Sequence, residues 1–137
     1  MYGRRGFIQY QCVLPTREAR EGIRVLLDAA AASRQSSFLS VLKRFGPADQ
    51  GLLSFPIEGY TLTLDFPVND SGLFPLLDRL DEIVLSYGGR VYLAKDARLK
   101  PEIFRQMYPR LPEWLAVKER VDPEHRFDSD LSRRLKI

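Results

Sequence analysis

The sequence of this 137-residue chain predicts an α+β fold, a four-stranded antiparallel sheet with helices on one face. Three observations predict it. Four stretches of strand character and two of helical spacing follow one another as β-α-β-β-α-β over residues 7–95. The clearest strands alternate with period two, giving one apolar face and one mixed face. Breaks rich in Gly, Pro or Asp separate the stretches. This order is the ferredoxin-like split βαβ arrangement, whose two helices cover one sheet face and leave the other for something else. A helical extension over residues 96–137 follows.

The first strand, "GFIQYQCVLP", puts Ile8, Tyr10, Cys12 and Leu14 on one face and Phe7, Gln9, Gln11 and Val13 on the other. Two neutral amides among apolar residues are unlike a simple solvated face, which favours Lys, Glu or Thr. Pro15 and Thr16 break the strand, with Thr16 expected as N-cap and Glu18 in the positive first turn. Ala19, Ile23, Leu26, Leu27 and Ala30 then recur at helical spacing, predicting a helix to about Arg34. Gly22 weakens that helix by about 1 kcal/mol relative to Ala. The second strand, "SFLSVLKRF", ends at Gly46-Pro47, and parity leaves its faces open. Either Phe38, Ser40, Leu42 and Arg44 or Leu39, Val41, Lys43 and Phe45 share the mixed face.

A loop, "ADQGLLSFPIEG", leads to the third strand, "YTLTLDF", where Leu62, Leu64 and Phe66 oppose Thr61, Thr63 and Asp65. Asn69, Asp70 and Ser71 offer caps for a second helix with Leu73, Leu77, Leu80 and Val84 as its stripe, ended by Gly88-Gly89. "RVYLAK" reads as the fourth strand, Val91, Leu93 and Lys95 against Tyr92 and Ala94. Two helical pieces, "KPEIFRQMY" and "LPEWLAVKERV", are each opened by proline at a tolerated position, and Asp122-Pro123 ends the second. Trp114, Val117 and Val121 read as core packing. The tail "EHRFDSDLSRRLKI" reads as a docked extension held by Phe127 and Leu131.

Composition narrows the function classes. With 45% hydrophobic and 28% charged residues, the chain reads as one ordinary globular domain. A net charge of +3, from 21 Lys+Arg against 18 Asp+Glu, does not point to nucleic acid, and the mixed face lacks a stacking platform. One cysteine excludes an internal disulfide and makes a reducing cytoplasm the expected compartment, with Cys12 an inert core thiol. No run approaches the ~20 apolar residues of a membrane span. A single histidine, His125, in charged surroundings, rules out paired-histidine metal or triad chemistry, so no metal site is expected. No phosphate-cradling glycine loop is present. The chain enters its first strand within a few residues without a leader, which suggests a piece of a longer protein.

The mixed sheet face therefore holds amides, hydroxyls and at least one ammonium between apolar walls. That mixture suits a polar, polyhydroxylated ligand better than a lipid or a flat protein partner. An unremarkable half-exposed sheet is the competing reading, because fold alone does not give function.

Five segments carry something more specific: "RGFIQYQCVLP", "FLSVLKRFGP", "LLSFPIEGYTLTLDFPV", "GGRVYLAKDARL" and "MYPRLPEWLAVKERVDPEHRFDSDLSRRL". In that order, over nearly the whole chain, the sequence resembles the C-terminal part of FAD-linked oxidases of the vanillyl-alcohol-oxidase-like superfamily, which also holds the sugar-lactone oxidases. "MYPRL", "AKD" and "SD…RRL" are residue strings far more specific than a fold pattern. The resemblance implies that residues 1–137 are a single substrate-binding, or cap, domain at the C-terminal end of a longer FAD-dependent oxidoreductase. FAD would be held largely by an N-terminal FAD-binding domain, the partner of this one, so the isolated chain would neither bind FAD nor turn over. The parent enzyme would oxidise an alcohol of a sugar by hydride transfer to FAD, with room for a lipid carrier on the substrate and for a reductase partner.

The resemblance also implies roles by position. Gln9, Leu39, Val41, Lys43, Phe45, Thr61 and Thr63 match substrate-pocket positions, which selects the second of the two parities for the second strand. Thr61 and Thr63 depart from the family, which has Asn and Cys there; the thiol is lost at Thr63 and Cys12 does not replace it. Gln11 and Lys95 match catalytic positions, and Tyr92, Ala94 and Lys95 match flavin contacts. An ammonium there stabilises negative charge developing on reduced flavin or orients the hydroxyl being oxidised. The alternative is a free-standing ferredoxin-like ligand-binding or regulatory module with no enzyme activity.

Overall fold

A computed structural model describes residues 5–35, 37–68 and 72–137. The strands are β1 (Phe7–Pro15), β2 (Ser40–Phe45), β3 (Gly59–Pro67) and β4 (Arg90–Val91). Helix α1 (Thr16–Ala32) joins β1 to β2, and α2 (Leu73–Ser86) joins β3 to β4. A 3₁₀ turn (Leu93–Lys95) follows, then α3 (Pro101–Met107), α4 (Leu111–Val121) and α5 (Asp130–Leu135). The sheet runs β2-β3-β1-β4, every pair antiparallel, so the α+β fold with helices on one face is as the sequence predicts.

Alternation builds the core. Tyr10, Cys12 and Leu14 of β1 and Leu62, Leu64 and Phe66 of β3 are buried with Leu26 of α1 and Leu73, Leu77 and Leu80 of α2. Each fully buried leucine contributes roughly 1.5–3 kcal/mol from apolar burial. Extension residues Leu99, Phe104, Met107, Tyr108, Leu111 and Leu135 join the same core, which makes residues 96–137 part of one packed body. Tyr108 ties α3 to the sheet by donating its hydroxyl to Val91 O at 2.7 Å, while the Arg90 guanidinium sits 5.1 Å above its ring.

Several local expectations are corrected. "RVYLAK" is not a six-residue strand. Only Arg90 and Val91 pair with β1, and the chain then turns through Leu93–Lys95. Thr16 is the first helical residue instead of the cap, its N–H donating to Glu58 O at 3.2 Å, and α1 ends at Ala32. Strand β2 begins at Ser40, although Phe38 N–H and Leu39 O continue its bonding to Asp65. Phe127 is 79% exposed and anchors nothing; the tail is held by Leu131, half-buried against the core as expected, and by Leu135, fully buried on the unforeseen helix α5. Val117 and Val121 are exposed, whereas Trp114 is half-buried against the core. The caps expected at Asn69, Asp70 and Ser71 lie outside the described residues; Gly72, at φ 84°, precedes α2.

Candidate functional site

The register settles which residues share the mixed face. Gln11 pairs with Thr63 and Thr63 with Val41; Val13 pairs with Thr61 and Thr61 with Lys43; Gln9 pairs with Asp65. Opposed residues in an antiparallel sheet project to the same side. Gln9, Gln11, Thr61, Thr63, Val41 and Lys43 therefore occupy one surface, with Phe45 one row beyond Lys43 and Leu39 one row before Val41. The other parity set of β2, with Leu42 55% exposed, points to the helix side, where this edge strand outruns its cover.

The amides are already engaged within the face. Gln11 Nε2 donates to Thr61 Oγ1 at 3.0 Å, a buried bond, and Gln9 Nε2 donates to Asp65 Oδ1 at 2.8 Å. Gln11, Thr61, Thr63 and Asp65 are all buried, so the face is less open than the sequence suggests. The 46–58 loop explains this at one end. Phe55, buried, meets Phe45 edge-on at 5.8 Å and stacks on Tyr92 at 4.6 Å. Since Phe45 is on the outer strand β2 and Tyr92 follows β4 at the other edge, this aromatic row crosses the sheet. Arg90 Nη1 holds the loop down by donating to Ser54 O at 2.9 Å.

Lys95 reaches the site because β4 is short. Beyond Val91 the edge of β1 has no strand beside it among the described residues, and Tyr92 N–H donates to Gln11 O at 2.8 Å as the chain turns away. The 3₁₀ turn fills the vacated edge. Gln9, Gln11 and Lys95 line one small cavity at the edge of β1 together with Tyr10, Leu77 and Asp81 of the helix side and with Asp96 and Arg98, about 10 Å³ in volume, the size of one water. The half-buried Lys95 ammonium has no hydrogen-bond or ion-pair partner among the described residues. Lys43 is exposed and likewise unpaired, at the far edge of the face. Ala94 is exposed on the turn, and Tyr92 is half-buried against Phe55.

Behind the cavity lies a buried charge network that the sequence reading does not include. Arg98 Nη1 donates to Asp81 Oδ2 at 2.9 Å and Nη2 bonds the same oxygen, with Asp78 at 3.4 Å. Burial pushes the Asp81 carboxyl up to about 6 even though Arg98 pulls the other way. The Tyr10 hydroxyl lies beside Asp81 without hydrogen-bond geometry, so it and Asp81 Oδ1 are buried without a hydrogen-bond partner. Asp96 Oδ2 pairs with Arg134 at 2.7 Å. Only the strings "AKDARL" and "SRRL" hinted at these residues, because pairs 17 and 38 residues apart leave no local periodicity.

The same geometry places two further residues. Cys12 is completely buried on the helix side, and burial pushes its thiol up to about 12. His125 is exposed. Among the described residues no group of three or more His, Cys, Asp or Glu could hold a metal ion, and no helix is long and apolar enough to cross a membrane.

The family model for D-arabinono-1,4-lactone oxidase matches residues 6–135. The chain is 45% identical over 136 residues to decaprenylphosphoryl-beta-D-ribose oxidase of Mycolicibacterium smegmatis, covering 99% of this chain and 29% of that protein. It is 41% identical over 133 residues to an uncharacterized protein from the mprA 5' region of Streptomyces coelicolor, covering 95% of this chain and 35% of that one. The chain thus spans about a third of the length of the curated relatives it matches.

Proposed function

Because the chain belongs to the D-arabinono-1,4-lactone oxidase family, we propose that it is the C-terminal, substrate-binding part of an FAD-dependent oxidoreductase that oxidises an alcohol of a sugar or sugar-like substrate. The observation that carries this reading is that the stretch of β1 bearing Gln9 and Gln11 and the turn bearing the unpaired Lys95 line one small cavity at the edge of the sheet. The relative named for decaprenylphosphoryl-β-D-ribose supports a lipid-linked pentose as the first substrate to try. Its greater length supports an N-terminal FAD domain as the partner.

The residues present fit one side of a flavin. Tyr92 and Ala94 offer an apolar flank, Lys95 offers a positive charge beside it, and the sequence offers no phosphate cradle. Bound FAD supplies the two-electron acceptor for hydride transfer. Gln11 and Gln9 present neutral hydrogen-bonding groups that orient sugar hydroxyls without imposing a charge. Lys43 and Val41 form the far wall. Lys95 lowers the barrier by meeting negative charge as it develops, a contribution that water would weaken and burial preserves. Thr63, with no thiol, leaves this pocket free of nucleophilic sulfur; Cys12 faces the other way.

Two experiments test the reading. The chain alone should purify colourless, while co-expression with an N-terminal flavin domain should yield a stoichiometric flavin spectrum. With that complex, decaprenylphosphoryl-β-D-ribose should bleach the flavin in rapid mixing. A yellow preparation of the isolated chain would refute the missing-domain part, and an unbleached complex across sugar-type substrates would refute the activity.

A further inference from the structure

We propose that Arg134, at the far end of the chain, is the positioning residue for Lys95, so that helix α5 sets where the ammonium stands. The proposal rests on the reading of Lys95 given above. Lys95 sits in irregular backbone: its N–H donates to Tyr92 O at 3.1 Å, and nothing sheet-like follows. Such a turn holds a charge in place only if both flanks are fixed. The upstream flank is fixed by Tyr92 N–H on Gln11 O. The downstream flank is fixed by Asp96 and Arg134.

Asp96, its side chain 4% exposed, folds the next residues around itself: Oδ1 accepts from Arg98 N–H at 2.9 Å and from Leu99 N–H at 2.7 Å. Its other oxygen pairs with Arg134 Nη2 at 2.7 Å. The same guanidinium donates from Nη1 to Leu99 O at 2.6 Å and from Nη2 to Asp96 O at 3.4 Å. One guanidinium therefore hydrogen-bonds two carbonyls of the segment that begins one residue after Lys95 and stands in ion-pair contact with its carboxylate, without hydrogen-bond geometry to Oδ2. Arg98 ties this segment to α2 through Asp81, so the turn is bound on two sides.

Helix α5 is itself well held. Ser129 and Ser132 form a reciprocal capping box at its start, and Leu135 is fully buried. It packs on α3, and its Arg134 reaches Asp96 and Leu99, the residues just after the Lys95 turn. Displacing a reacting group by about 1 Å can cost about a hundredfold in rate, so a brace at this point bears directly on turnover.

The test uses the flavin-loaded parent enzyme and the variants Arg134→Gln, Asp96→Asn, Lys95→Ala and the two pairings of Lys95→Ala with the others. Flavin reduction by decaprenylphosphoryl-β-D-ribose should slow at least tenfold in Arg134→Gln, with partial rescue in Arg134→Lys. In the Lys95→Ala background the second substitution should cost almost nothing more, because a residue acting through Lys95 has nothing left to position. Additive losses would overturn the proposal. A second readout is independent of activity: backbone hydrogen exchange at residues 93–99 should speed at least tenfold in Arg134→Gln while β1 and β3 keep their protection. Unchanged exchange would overturn the brace. If Lys95→Ala reduces its flavin at the parental rate, the reading of Lys95 fails and exchange alone decides the brace. If Arg134→Gln does not fold, Asp96→Asn carries both readouts.

Discussion

Lys95 shows how a side chain with four rotatable bonds can be made to act as a fixed charge. It projects from a turn bonded to β1 on one side and to Arg134 on the other. In the flavin-loaded enzyme Lys95→Ala should lower the rate of flavin reduction by about a hundred- to thousandfold, the cost of roughly 2.7–4 kcal/mol typical of losing one preorganised group. Lys95→Arg should restore only part of it, since a planar guanidinium cannot occupy the place of a compact ammonium. Lys43→Ala should instead raise KM with little change in kcat, because Lys43 stands across the sheet from the turn. Stopped-flow reduction and steady-state kinetics separate the two patterns. Cys12 makes the opposite prediction. Its thiol, fully buried and pushed up to about 12 by that burial, should ignore an aromatic disulfide reagent until the protein unfolds. Rapid labelling of the native chain would contradict that.

At the scale of elements, what the sequence disclosed followed the strength of its periodicity. Strands β1 and β3 alternate strictly, and their faces are those the alternation gives. For β2 the polar residues fall on both parities, so only pairing with β3 decides the face. "RVYLAK" has the residues of a strand, but a strand also needs a neighbour, and β1 offers one only at Cys12 and Val13. Nothing in local composition encodes that limit. Helix α5 is too short and too charged to show an apolar stripe, yet Ser129 and Ser132 cap it reciprocally, a legible signal. The mixed face was legible as polar, while its partial roof was not, because Phe55 sits in a loop without periodicity. A glycine in this framework makes an element-scale prediction. A Cβ at Gly59 would lie 2.0 Å from Leu14 O, where β3 passes β1. Gly59→Ala should force the strands apart and destabilise by at least about 1–3 kcal/mol, read as a lower urea midpoint. An unchanged midpoint would mean that the strands are not this close.

Over the whole molecule, one buried carboxylate gives stability an unusual pH dependence. Exposed acids such as Asp49 and Asp128 are held below their ordinary range by hydrogen bonds, the first from Ser54, the second from Ser132 and Arg133. Groups of that kind contribute stability above their unfolded range and lose it as pH falls. Asp81 has the opposite sign. Burial carries its carboxyl from 3.8 to about 6, so the folded chain keeps that proton to a higher pH than the unfolded chain does. Its contribution is complete below the unfolded value and declines as pH rises through about 6. Above that window Asp81 is ionised and paired with Arg98, an arrangement that fixes the Lys95 turn at some expense in stability. The other acids complicate a direct pH titration of stability, but they cancel in a comparison with Asp81→Asn, which keeps an oxygen toward Arg98 and removes the titration. The stability difference, wild type minus Asp81→Asn, should therefore fall by roughly 1–3 kcal/mol between about pH 4 and about pH 6.5. Urea denaturation of both proteins at the two pH values measures it. A difference that stays flat, or that rises with pH, would mean that Arg98 outweighs burial and that the ion pair stabilises the fold outright.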